Sequence, residues 1–289
     1  MNKIPEINRA RGYFLYTADG KRYLDMALEG GRLIMGHRQK GYGQTLKNAI
    51  DKGILPGFPS PYAHRLKQAV RALFGKDCFV YLFKSEEHAK AALASRGLDY
   101  TLWRPLGSGT RGANNPTATS RVTNALDPIN DPINPKSSSN MEPQKSAATL
   151  KSRSPVISEQ PVILVLPVPA AFAPGVVVSK SDLKLAEEPV SPVILTGAVR
   201  ALYNLKAFLA EADYSCWKEA GIAEACKEKW RVELPYLYPL CPRNQYPAVW
   251  DAFFEAGIIL SWDYDTPSIL PPELSEGTRK KVIKLLENI

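Results

Sequence analysis

Cysteine and histidine are both scarce in this sequence, and neither occurs at a spacing that suits a disulfide framework or a metal site. The 289 residues include four cysteines and three histidines. The cysteines form no CxxC pair, and a chain of this length does not need disulfides to hold its core. The histidines lie far from the cysteines and lack zinc-ligand spacing. The residues concerned are Cys78, Cys216, Cys226, Cys241, His37, His64 and His88. The sequence therefore predicts reduced thiols and no metal site.

Long apolar runs are missing as well. The longest apolar tract, residues 162–178, is interrupted by Pro167, Pro169 and Pro174 and is too short to cross a bilayer. The first residues, MNKIPEINRARGYF, contain no apolar leader. We therefore expect a cytoplasmic protein that does not bind membranes. Neither GxxxxGK[ST] nor GxGxxG occurs, and no histidine has the neighbours of a catalytic triad, so nucleotide binding and hydrolase chemistry have no support.

Basic residues are in excess, and half of the excess lies in one segment. The formal charge is +8, and residues 104–153 hold seven basic and three acidic side chains. A basic excess can attract nucleic acid or an anionic surface. These charges are dilute and have no interleaved aromatic residues, so nucleic acid is not the expected partner. Ser, Thr, Asn, Pro and Gly dominate residues 107–160, which predicts a disordered linker.

The residues before this linker alternate between strand and helix patterns. Apolar and aromatic runs at 13–16 and 23–25 flank Asp19-Gly20, the strongest short signal for a hairpin turn. Helical spacing follows at 42–52 and at 61–74, the latter ending at Gly75. The continuous apolar run 78–83 predicts a strand buried on both faces of a parallel sheet, and the alanine-rich residues 85–96 predict a helix.

Strand and helix patterns resume after the linker. Residues 162–166 and 176–178 predict two more buried strands. Ala198, Leu202, Leu205 and Leu209 recur at the spacing of one helix face. Residues 232–240 predict a strand interrupted by prolines, followed by a helix at 248–256, a short strand at 258–261 and a final helix. The order predicts a mixed α/β protein.

The N-terminal block GYFLYTADGKRYLD, residues 12–25, resembles the opening of the class III aminotransferases, which depend on pyridoxal phosphate and have fold type I. The family's Gly-containing stretch and Gly-His pair are matched by Gly30, Gly31, Gly36 and His37. The resemblance implies a reduced α/β fold, with a remnant mostly parallel sheet and a small α+β domain built from both chain ends. The boundaries this implies are 1–60 and 213–289 for the small domain, 61–106 and 161–212 for the reduced large domain, and 107–160 for the linker.

The family's phosphate-binding motif is altered in this chain. In the family a buried strand ends in S-G-[ST]-E-A, and the following helix start binds the cofactor phosphate. The matching positions here begin with Lys84, Ser85, Glu86 and Glu87. A carboxylate at the [ST] position would repel a phosphate dianion. Glu86 and Glu87 also favour a helix start with no ligand.

Two further elements of the family have no clear counterpart. They are the aspartate that holds the cofactor's ring nitrogen protonated and the lysine that forms the Schiff base. The corresponding region is 161–189, where the candidate lysines are Lys180 and Lys184. No glycine-rich turn accompanies either one.

Three functions remain open on this sequence. The leading one is a non-catalytic, aminotransferase-like scaffold or regulatory partner, which binds no cofactor and forms a homodimer or a heterodimer with an aminotransferase paralogue. The second is an active pyridoxal-phosphate-dependent aminotransferase or aminomutase that uses Lys180 or Lys184. The third is a protein that binds nucleic acid or an anionic surface through the basic linker.

Overall fold

The computed structural model describes residues 4–53, 58, 60–107, 110–112, 159–226 and 229–288. Most of the predicted linker lies outside these ranges, so its disorder stays a prediction. The strands are β1 (Ile7–Arg11), β2 (Phe14–Thr17), β3 (Arg22–Asp25), β4 (Phe79–Phe83), β5 (Tyr100–Trp103), β6 (Thr110–Gly112), β7 (Val162–Leu164), β8 (Gly175–Ser179), β9 (Trp230–Glu233), β10 (Tyr236–Pro239), β11 (Ile258–Ile259) and β12 (Ser268–Ile269). The helices are α1 (Leu28–Gly31), α2 (Tyr42–Asp51), α3 (Pro61–Phe74), α4 (Glu86–Ala94), α5 (Pro192–Glu211), α6 (Ser215–Glu219), α7 (Ile222–Cys226), α8 (Tyr246–Glu255) and α9 (Glu276–Asn288).

Both ends of the chain contribute to one sheet. Its order is β1-β2-β3-β11, and β11 pairs in parallel with β3 although more than 200 residues separate them. The predicted hairpin is present, since β2 and β3 are antiparallel and Asp19-Gly20 lies in the turn between them. Gly20 has a φ of 83°, a conformation that glycine adopts without strain. Helix α8 covers one face of this sheet, where Phe254 stacks on Tyr23.

The central sheet is mixed, whereas the sequence predicted a mostly parallel one. Its order is β4-β8-β7-β5-β6, and β5–β7 is the parallel pair among the described strands. The β4–β8, β8–β7 and β5–β6 pairs are antiparallel. The reason lies in the connection from β7 to β8, residues 165–174, which holds a single 3₁₀ turn at Ala170–Phe172. A parallel pairing of the two strands would need a longer crossover, usually through a helix.

The central sheet is buried on both faces, as the apolar runs predicted. Val80 and Leu82 of β4 face the main core, and Tyr81 and Phe83 face a second, smaller core. Helix α4 packs on the second side, while α3 contacts β4 and the long helix α5. By length and composition α5 could span a membrane, but here it packs against α2 and α3 and buries one face in the core.

One predicted strand is two strands in the structure. Residues 232–240 were predicted as a single interrupted strand, but β9 and β10 form an antiparallel hairpin that turns at Leu234-Pro235. The proline supplies the turn because its fixed φ and missing N–H suit a turn better than a ladder. Strand β10 also pairs with β12, which completes a third sheet in the order β12-β10-β9.

Candidate functional site

Residues 84–87, which the resemblance matches to the family's phosphate motif, lie where β4 ends and α4 begins, as the strand and helix patterns predicted. Ser85 is the N-cap of α4, and its side chain accepts a hydrogen bond from the His88 N–H at 3.4 Å. The backbone of Ser85 is held against the start of β8. A Cβ on Gly175 would lie 2.1 Å from the Ser85 carbonyl oxygen, which no side chain can tolerate. The helix start is therefore fixed in place by a close contact that requires glycine.

A carboxylate from the chain itself already binds at this helix start. The Lys84 N–H donates a hydrogen bond to Glu188 Oε2 at 2.9 Å. His88 Nδ1 donates to the same carboxylate and lies 2.8 Å from each of its oxygens. The Lys84 N–H and the His88 side chain together hold the pKa of Glu188 below its ordinary value. Glu188 is therefore an anion that occupies donors at the start of α4.

Residues 182–188, which we call the acidic strap, lie along the open edge of β4. Glu187 Oε1 accepts the Leu82 N–H at 2.9 Å, and Glu187 Oε2 pairs with Lys67 at 2.6 Å. The Glu188 N–H donates to the Leu82 carbonyl at 3.0 Å. At the far end of the strap, Tyr81 donates its hydroxyl to Asp182 at 2.5 Å. The strap thus gives partners to backbone groups that an edge strand would leave exposed.

A second carboxylate, Glu86, is buried in the first turn of α4. Its side chain is 10% exposed and pairs with Arg32, whose side chain is 14% exposed. Lys90, one turn along the helix, pairs with the other Glu86 oxygen at 2.6 Å. Burial would raise the pKa of Glu86, but Arg32 and Lys90 outweigh it and hold the pKa below its ordinary value. Glu86 is therefore ionised and fully partnered within the fold.

Arg32 is positioned by a strained turn next to the site. Every residue of α1 has a positive φ, between 42° and 87°, including the non-glycine residues Leu28 and Glu29. Such a run is rare for L-residues and is held only by its surroundings. Two of its contacts reach the central part of the chain. Glu29 accepts the Ala170 N–H at 2.7 Å, and the Gly30 carbonyl accepts a hydrogen bond from Arg104 at 3.4 Å.

The structure does not bring Lys180 and Lys184 to this helix start. Strand β8 runs antiparallel to β4, so Gly175 lies beside Phe83 while Ser179 lies beside Phe79. Lys180 follows Ser179 and is therefore separated from Ser85 by more than the length of β4, which is about 13 Å at ~3.3 Å per residue. Lys184 is exposed, and its carbonyl accepts a hydrogen bond from Arg96, beyond the other end of α4.

Unlike Lys180 and Lys184, the connection between β7 and β8 lies beside the site. This connection contains no ionisable residue. Residues 165–174 read VLPVPAAFAP. Neither an aspartate nor a lysine is present there to meet a cofactor ring. With Glu188 on the Lys84 N–H and Glu86 in the helix, the described site does not fit a phosphate dianion or a Schiff-base aldehyde.

The histidines take structural positions. His37 donates from Nε2 to Asp25 at 2.8 Å, and the other Asp25 oxygen accepts the N–H groups of Ala27 and Leu28 at 3.0 Å each. These hydrogen bonds hold the backbone in place where the chain enters α1. His64 is exposed on α3. Within the described ranges, no group of three or more His, Cys, Asp or Glu residues could hold a metal ion.

The site contains three residues that the sequence did not single out: Arg32, Glu187 and Glu188. Arg32 follows the glycine pair, and the two glutamates lie about 100 residues beyond α4. The Glu-Glu-Pro triplet at 187–189 was a usable signal, because acidic residues near an altered anion site are candidate internal ligands. Its partner strand could not be identified without the fold.

No protein-family model matches the chain. An uncharacterized protein of Borreliella burgdorferi is 37% identical over 95 residues, which are 33% of this chain and 35% of that protein. A glutamate-1-semialdehyde 2,1-aminomutase of Heliobacterium modesticaldum is 32% identical over 95 residues, which are 33% of this chain and 22% of the enzyme. An uncharacterized protein of Treponema pallidum is 22% identical over 305 aligned positions, covering 94% of this chain and 90% of that protein.

Solved transaminase structures match the chain along nearly its whole length. A transaminase with PLP bound superimposes with a TM-score of 0.63 at 14% identity and covers 97% of this chain and 89% of its own. An omega-transaminase from Sphaerobacter thermophilus gives a TM-score of 0.61 at 15% identity, with 98% and 90% covered. The chain therefore has a shortened, fold-type-I aminotransferase-like architecture, which confirms the predicted fold class apart from the strand directions of the central sheet.

Proposed function

We propose that this chain is an aminotransferase-like protein without transaminase activity, which acts as a scaffold or regulatory partner. One observation carries the proposal: Glu188 binds at the start of α4, where the resemblance places the cofactor phosphate. A bound phosphate would have to displace this carboxylate and would then lie near the ionised Glu86. The displacement would break the hydrogen bonds of Glu188. The approach to Glu86 would bring like charges together in a partly buried site, so both changes oppose binding.

We expect no site-specific reaction with pyridoxal phosphate. The purified chain with added pyridoxal phosphate should show no imine absorption band, and borohydride reduction followed by peptide mapping should find no dominant adduct. The physical reason is that Lys180 and Lys184 lie away from the helix start and that no lysine occurs at residues 165–174. The measurement is the visible spectrum together with the map of trapped lysines.

The control is a Lys180→Arg/Lys184→Arg variant, treated identically. Equal low labelling of both proteins, spread over exposed lysines, is nonspecific aldehyde chemistry and supports the proposal. A dominant adduct on Lys180 or Lys184 that the variant loses would establish the alternative, an active pyridoxal-phosphate-dependent enzyme with a relocated lysine. Assays with amino donors would then follow.

The scaffold role requires a partner, and we propose either a second copy of this chain or an aminotransferase paralogue. Supporting this, Ile50, Phe58 and Tyr203 are 62%, 69% and 60% exposed, which is high for large apolar side chains. Light scattering coupled to gel filtration should give about twice the chain mass of 31.9 kDa. A Tyr203→Ser variant should shift the mass toward one chain, whereas Tyr16→Ser, remote in sequence from all three, should not. A wild-type mass of 31.9 kDa would exclude the homodimer.

A further inference from the structure

One face of the β1–β3 sheet combines exposed arginines with aromatic rings. In the strand register Arg9 lies opposite Tyr16, Arg11 opposite Phe14, and Tyr16 opposite Arg22, so all five side chains share a face. We call this surface the arginine face. The opposite face carries Leu15 and Tyr23 and packs against α8. The three arginines are exposed and the two rings are half-buried, so the surface is open to solvent.

Two of the three arginines of this face, Arg9 and Arg22, are stacked on aromatic rings rather than paired with acids. The guanidinium carbon of Arg9 lies 4.5 Å from the centre of the Tyr16 ring, and that of Arg22 lies 4.5 Å from the centre of the Phe14 ring. Among the described residues, no carboxylate forms an ion pair with Arg9, Arg11 or Arg22. The positive charges are therefore available to an anionic ligand, and the stacked guanidinium planes offer flat surfaces to a further ring.

A groove borders the arginine face and limits where an anionic group of a ligand can bind. Its volume is about 540 Å³, and its lining includes Phe14, Arg22, Glu273 and Leu274. The Glu273 carboxylate would repel a phosphate at this end. A phosphate would therefore bind better near Arg9 and Arg11 on β1, while the groove beside Phe14 and Arg22 has room for an uncharged ring.

We propose that the arginine face binds single-stranded nucleic acid. Unpaired bases stack on aromatic side chains and on arginine planes, while the phosphates contact the cationic groups. An acidic peptide would pair with the arginines but would not stack on the aromatic rings. The bases of a duplex are paired and stacked on each other, so they could not stack on this face. The linker lacks this combination because its basic residues have no interleaved aromatics. The proposal does not depend on whether pyridoxal phosphate binds.

The test is fluorescence anisotropy of a labelled oligothymidylate, titrated with the full-length chain at low and at physiological salt. Binding should weaken with salt, with a log–log slope of about −2 if three phosphates are contacted at about −0.7 each. Tyr16→Leu, which keeps every charge, should weaken binding by about tenfold, in the range seen for loss of one stacked base. Arg9→Gln/Arg11→Gln should weaken binding and make the slope shallower.

The matched control is Lys281→Gln/Lys284→Gln, which removes the same charge from exposed positions on α9. It should bind within about twofold of wild type, and all variants should keep the wild-type circular dichroism spectrum and melting temperature. No binding by wild type at low salt would overturn the proposal. So would equal losses in the arginine and lysine variants, an unchanged affinity for Tyr16→Leu, or equal competition by polyglutamate, which would indicate an acidic peptide site instead.

Discussion

Gly175→Ala should destabilise the protein by about 3 kcal/mol or more, or prevent folding. The new Cβ would lie 2.1 Å from the Ser85 carbonyl oxygen, 2.8 Å from the Ser85 carbonyl carbon and 2.9 Å from the Ala89 Cβ. None of these atoms can move by a side-chain rotation, so β8 or the start of α4 must shift. Such a shift would also disturb the Lys84–Glu188 contact. Urea unfolding followed by circular dichroism measures the loss.

The matched control is Gly43→Ala in α2. A Cβ on Gly43 meets no atom within 4 Å, and the position is helical. Because alanine favours the helix over glycine, this variant should gain roughly 0.5–1 kcal/mol. A Gly175→Ala protein that unfolds at the wild-type urea concentration would show that the β8–Ser85 approach is not as close as described.

Arg32→Met should also be strongly destabilising, by about 3 kcal/mol. It leaves Glu86 buried in the first turn of α4, with Lys90 as its remaining partner. Removing one member of a buried pair costs more than the pair contributes, because the remaining charge keeps its desolvation penalty. The double variant Arg32→Met/Glu86→Leu should therefore recover most of the loss. The measurement is again the free energy of unfolding in urea, arranged as a double-mutant cycle.

The effect of Arg32→Met on stability should also depend on pH. The pKa of Glu86 is lowered in the folded protein, so its ionised form contributes stability above its unfolded pKa of about 4.3. That contribution is lost as the pH falls through the lower, folded pKa. The difference in unfolding free energy between wild type and Arg32→Met should accordingly narrow at acidic pH.

The control variant is Lys280→Met, which breaks the exposed pair with Glu276 and should change stability by less than about 0.5 kcal/mol. A gap that stays constant from neutral to acidic pH would mean that Glu86 does not carry the effect.

Two carboxylates at the start of α4 provide a physical explanation for the proposed loss of activity. Glu86 and Glu188 bring two negative charges to this end of the helix, and Arg32, Lys90, His88 and the Lys84 N–H are their partners. These partners are groups of the kind that would otherwise bind a phosphate. The shortened fold can therefore keep the architecture of the site without a ligand, because the chain supplies the anions.

Local sequence determined the elements with strong short-range signals. Asp19-Gly20 specified the first hairpin because its turn needs a residue that accepts a positive φ. The helix at 61–74 was predicted with its observed bounds, since Ser60 caps it, Pro61 begins it and Gly75 follows it. The strand-to-helix junction at residues 84–86 was also predicted correctly, because its position depends on one strand and the helix that follows it.

Tertiary structure alone decided which distant residues meet at that junction. The direction of β8 placed Lys180 at the far end of β4, and this direction depends on a connection too short for a parallel crossover. Glu188 reaches the Lys84 N–H across about 100 residues of sequence, and Arg32 reaches Glu86 from the N-terminal part of the chain. The arginine face likewise needs two strand registers to bring its residues together. Contacts between distant residues depend on strand pairing and packing, which local propensity does not encode.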